Sequence, residues 1–132
     1  PIIIYEPGRQ PEMQDKIAQQ TDILPTVMGM LHYPKPYFGF GIDLLNTPAD
    51  STWAVNYLNG TYQYVKHGHV LQFDGEQTKA VYSLRDSLMQ NNLLNSHSQS
   101  SIPNSQLEEM VRELKAIIQQ YMERMTQNRL QP

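Results

Sequence analysis

The chain has 132 residues, which bounds it to one domain or a piece of one and is long enough to bury a core without disulfides or structural metals. Its formal net charge is −3, and its Lys and Arg residues are scattered. That excludes a basic stripe for nucleic acid and a basic cluster for an anionic membrane surface. There is no cysteine, so thiol nucleophiles, zinc fingers and disulfide frameworks are excluded. The mean hydropathy is −0.54, and no apolar run approaches the roughly 20 residues of a membrane helix.

The chain opens on Pro1-Ile2-Ile3-Ile4-Tyr5, with no initiator Met and no signal-peptide pattern. Ile2–Tyr5 is β-branched and aromatic, which predicts a short buried strand closed by Pro7-Gly8. A strand this close to the first residue suggests either a processed N-terminus or a fragment of something larger. Lys16–Gln19 is ambiguous between a short strand and the lead-in to a helix. After it, Ile23, Leu24, Val27, Met28, Met30 and Leu31 recur at helical spacing. They predict a helix over about 23–32, with Asp22 as its N-cap and Pro25 tolerated in the first turn. Residues 33–51 read as a loop. Tyr33, Tyr37, Phe38 and Phe40 lie among Pro and Gly, which suggests an ordered loop pinned by its rings.

From residue 52 to 84 the period changes to two. Trp53, Val55 and Tyr57 alternate, as do Tyr62, Tyr64 and Lys66. Asn59-Gly60 between the runs is a strong hairpin signal, because both residues tolerate positive φ. His67-Gly68 and Asp74-Gly75 mark two more turns around a strand at Val70–Phe73, and Ala80, Tyr82 and Leu84 belong to a fourth. The expectation is a four-stranded antiparallel meander. Residues 86–104 are polar and read as a linker or mobile loop. Ser105-Gln106-Leu107-Glu108 has the form of a capping box. Beyond it, Leu107, Met110, Val111, Leu114, Ile118, Tyr121 and Met125 form an apolar stripe on a helix over 105–127. That stripe is expected to cover one face of the meander. The visible fold class is therefore α+β: a four-stranded antiparallel meander under a long C-terminal helix, plus one strand and a short helix. The division falls at residues 51 and 52.

Candidate chemistry is sparse. His67 and His69 form an H-x-H pair that could begin a metal site with Asp74 or Glu76, but Gly68 between them favours a turn. His32 at a helix end is expected to interact with the last carbonyls. His97 falls in the polar linker and reads as solvated. Gly39-Phe40-Gly41 neither follows a strand nor opens a helix, so it is not a dinucleotide loop. Asn59-Gly60-Thr61 has the form of a glycosylation sequon, which the hairpin turn explains better. Asp22, Asp43, Asp74 and Glu76 are candidate acid–base residues, better read as helix cap, loop cap and hairpin turn. The Met residues of the two helices read as core fillers. No catalytic, cofactor-binding or metal-ligating residue is assigned.

Ala18–Leu31, containing Asp22-Ile23-Leu24-Pro25-Thr26-Val27-Met28, resembles a D-x-x-P-T motif near the C-terminal end of sulfatase-type catalytic domains. Tyr37–Leu45 resembles the FG-x-DL stretch that follows it, and Pro1–Gly8 the strand that precedes it. Val70–Asp74 and Val81–Asp86 resemble the closing hairpins. In order and spacing the resemblance covers about residues 1–95. It is closest to the lipoteichoic acid synthase and phosphoglycerol transferase branch of the alkaline phosphatase superfamily.

This resemblance implies an α/β parent domain that uses a Thr or a modified Cys or Ser as nucleophile, with a divalent metal (Mn, Mg, Ca or Zn) stabilising the developing charge. It implies phosphoglycerol transfer from a phosphatidylglycerol-type lipid to a glycan or polymer acceptor, by an extracytoplasmic domain of a membrane-anchored parent. The nucleophile and the metal ligands of that family lie upstream of residue 1, so none maps onto this chain. Residues 1–51 would supply a strand, helix and loop of the catalytic domain, and 52–132 an antiparallel C-terminal subdomain, inactive alone. Its partner would be the upstream part of the same domain, and an uncovered Ile2–Tyr5 would favour self-association. Two other readings are a fragment of a true sulfatase or phosphatase acting on soluble esters, and a stand-alone binding module using loop 33–40.

Overall fold

The structure, a computed structural model, describes residues 2–95 and 102–130. A 3₁₀ turn at Gln20–Asp22 leads directly into helix α1, Ile23–Met30. A second 3₁₀ turn, Ala49–Ser51, precedes four strands: β1 Ala54–Leu58, β2 Thr61–Lys66, β3 His69–Phe73 and β4 Thr78–Ser83. Helix α2, Asn104–Thr126, closes the chain. The strands form one antiparallel sheet in the order β1-β2-β3-β4. The described residues are thus a small α+β unit, and no helix among them is long and apolar enough to cross a membrane.

Each turn of the meander falls where the sequence punctuates it. Asn59 (φ 52°) and Gly60 (φ 77°) both take left-handed conformations, the pairing that matches the right-handed twist of a tight hairpin. Leu58 pairs with Thr61 directly across it. His67 and Gly68 repeat the pattern between β2 and β3. The β3–β4 turn is built on Asp74, whose Oδ1 accepts from the N–H groups of Glu76 and Gln77. A register shift at Gln72/Phe73 lets β4 start at Thr78.

The register sets Val55, Tyr64, Leu71 and Val81 in one row across the sheet, and successive residues on each strand face opposite ways. That row is the floor of the core. Tyr64, Leu71, Phe73 and Val81 pack beneath Met110 and Leu114 of α2, with Ile102 at one side. Leu107, Val111, Ile117 and Ile118 flank this contact half-buried. Burial of each large side chain contributes about 1.5–3 kcal/mol. The apolar stripe of α2 therefore covers the meander, but only along its first half. A helix of 23 residues is about 34 Å long. Four strands of five or six residues make a sheet of about 14 by 20 Å. The helix outruns the sheet, and Tyr121 and Met125 are exposed.

Three local expectations are corrected. Ile2–Tyr5 forms no strand; it is irregular and open, with Ile3 88% and Tyr5 84% exposed. Strand preference reports fit to a pleated, half-buried surface, and no neighbouring strand supplies one here. The capping box at Ser105 and Glu108 is not the start of α2. The helix opens one residue earlier, after Pro103 (φ −59°), with no side-chain cap. Proline's fixed φ sets the entry, which leaves Ser105 inside the first turn. The polar stretch 86–95 is not a free linker. The Leu93 N–H donates to the Val81 carbonyl at 2.8 Å, and Asn92 Oδ1 accepts from the Val81 N–H at 3.1 Å. This segment closes the outer edge of β4, which would otherwise present unpaired backbone groups. The linker reading of 96–101, with His97, lies outside the described residues.

Candidate functional site

Asp22, Thr26 and segment 42–44 form one hydrogen-bonded unit. Asp22 is completely buried, and its side chain does not cap α1 as expected. It occupies the last position of the 3₁₀ turn, so its carboxylate reaches backward and sideways. Oδ2 accepts from the Gln19 N–H at 2.8 Å and Oδ1 from the Ile42 N–H at 2.9 Å. One turn later, the buried Thr26 hydroxyl donates to the Asp22 carbonyl at 2.7 Å and accepts from the Leu44 N–H at 3.0 Å. Two side chains thus fasten segment 42–44 to the start of α1. Gly41 makes this approach feasible, because a Cβ there would run into the Thr21 carbonyl.

The neighbouring residues extend the same clamp. Lys16 Nζ donates to the carbonyls of Leu44 and Thr47, at 2.7 and 2.9 Å. Asp43 caps its own loop through the N–H groups of Leu45 and Asn46, as expected. Two of the described bonds tie the unit to the sheet and its lead-in: the Ile17 N–H to Thr52 Oγ1, and the Val55 N–H to Gln19 Oε1. The second also covers part of the free edge of β1. His32 takes a left-handed φ of 49°, and its backbone N–H, rather than its ring, meets the Gly29 carbonyl after the helix ends.

The aromatic loop is held by its rings. Phe38 and Phe40 meet edge to face with centroids 4.9 Å apart, and Phe40 lies 5.6 Å from Tyr121. The Arg124 guanidinium sits 3.4 Å over the Phe38 ring. The half of α2 that outruns the sheet therefore docks on loop 33–40.

The H-x-H pair does not meet its candidate partners Asp74 and Glu76. His67 is in the turn, with Nε2 3.9 Å from Glu109 Oε1, while His69 Nδ1 contacts the His67 carbonyl. Asp74 and Glu76 lie at the other end of β3, about 16 Å away for a five-residue strand. Asp74 is engaged by Gln77, Lys79 and Glu76. These contacts hold its carboxyl well below the usual carboxylate range, with the Gln77 N–H contributing most. The Asn91 N–H likewise lowers Asp86. Among the described residues, no three His, Cys, Asp or Glu side chains converge as metal ligands.

One cluster has no counterpart in the sequence reading. Lys66, largely buried on β2, meets both oxygens of Glu113 at 2.7 and 2.8 Å, and the Tyr64 hydroxyl donates to the same carboxylate at 2.9 Å. Glu109 stands 3.7 Å from the ammonium. Burial, and then the bond to Glu113, push the Tyr64 phenol far above its ordinary range. The signal was present: alternation puts Tyr64 and Lys66 on one face, and Glu109 and Glu113 lie one helical turn apart. Both Glu113 oxygens are engaged, so the cluster acts as a lock between β2 and α2.

No protein-family model, curated protein or solved structure matches the chain.

Proposed function

We propose that this chain is the C-terminal portion of a sulfatase-like phosphoglycerol transferase of the alkaline phosphatase superfamily. In this reading it is a structural part of an extracytoplasmic catalytic domain whose membrane anchor, nucleophile and metal ligands lie elsewhere in the parent. The parent moves phosphoglycerol from a phosphatidylglycerol-type lipid to a glycan or polymer acceptor. The observation that carries the reading is the motif itself: Asp22, Thr26, Gly41 and segment 42–44, which the resemblance groups by sequence, meet as one clamp.

The outer surface of α1 supports the same reading. Ile23, Leu24, Val27 and Leu31 are exposed, as are Ile2–Tyr5. Apolar surface on this scale marks an interface, and in this reading the upstream part of the catalytic domain covers it. The described residues bring together no set of ligands that fits a resident divalent metal, so no catalytic step is assigned to them. Left uncovered, the apolar segment is expected to self-associate.

The test is the parent reading frame, extended upstream of Pro1, assayed beside the 132-residue chain. Release of diacylglycerol from phosphatidylglycerol by the longer protein, abolished by chelator and absent from the chain alone, is the expected outcome. Turnover by the chain alone would overturn the assignment, as would a longer protein inert on this lipid.

A further inference from the structure

We draw no further inference here: the strongest candidate, the amide-lined groove on the open sheet face of β1 and β2, where Gln19, Asn56 and Gln63 converge and Gln19 Nε2 is buried without a hydrogen-bond partner, carries nothing because nothing in the structure shows what covers that face.

Discussion

The two halves of the molecule are built on opposite principles. In the sheet and α2, apolar side chains point inward: Tyr64, Leu71, Phe73, Val81, Met110 and Leu114 are buried together. Around α1 the order is reversed. The completely buried side chains are Asp22 and Thr26, while Ile23, Leu24, Val27 and Leu31 face outward. The first half is held mainly by side-chain bonds to backbone, and the second mainly by removal of apolar area from water. An isolated helix of eight residues is marginal in water. Its inward residues are Pro25 and Thr26, with Met28 and Met30 half-buried, so few apolar side chains anchor it to the rest of the chain.

The contrast gives an ordered set of tests. Leu114→Ala opens a cavity in the shared core and is expected to cost about 2–5 kcal/mol, read by urea denaturation. A cost below about 0.5 kcal/mol, typical of surface positions, would mean that the sheet and helix do not share a core. Asp22→Ala removes the acceptor of two backbone N–H groups and is expected to cost about 2–3 kcal/mol. Its signature is faster hydrogen exchange at Gln19 and Ile42, with Leu71 and Val81 unchanged. Equal acceleration throughout would mean that the halves unfold as one.

Glu113→Gln leaves the Lys66 ammonium with a neutral partner. About 1–2 kcal/mol is expected, below the 3–5 of a fully buried pair, because the Glu113 side chain is one-third exposed. The same cluster has a pH signature. Tyr64 keeps its proton in the folded state beyond the pH at which it ionises when unfolded. The unfolded chain then binds fewer protons, so stability is full below about pH 10 and declines as pH rises through it. Tyr64→Phe is expected to flatten that decline in melts recorded from pH 8 to 11. An unchanged slope would show that Tyr64 is not the group responsible. The smallest effect is expected from Arg124→Ala, which removes a cation from the Phe38 ring. About 0.5–1 kcal/mol is expected, with the resonances of loop 33–40 shifted and those of the sheet unmoved.

Much of the second half was legible because its signals are local. Asn59-Gly60 demands a turn whatever surrounds it, and the alternation around Tyr64, with the three-to-four spacing around Met110 and Leu114, sets which faces meet. Around α1 the helix was legible, but the use of its polar residues was not. An aspartate before an apolar run reads as a cap. Here the preceding 3₁₀ turn places the Asp22 carboxylate against Ile42, twenty positions away, and nothing in the local spacing carries that information. Ile2–Tyr5 failed for the converse reason: its composition suits a strand, but a strand needs a neighbour.

By itself the amino-acid order determined the α+β class, the meander with its turns, and the covering helix. Tertiary structure decided the partners of the buried polar groups: Asp22 with Gln19 and Ile42, and Lys66 and Tyr64 with Glu113. It also decided that Leu93 seals the edge of β4, and that the far half of α2 docks on the aromatic loop. The division has a physical cause. Turn geometry and periodicity act over a few residues and are written locally, whereas a buried polar group takes whichever partner the packed chain brings within hydrogen-bond reach.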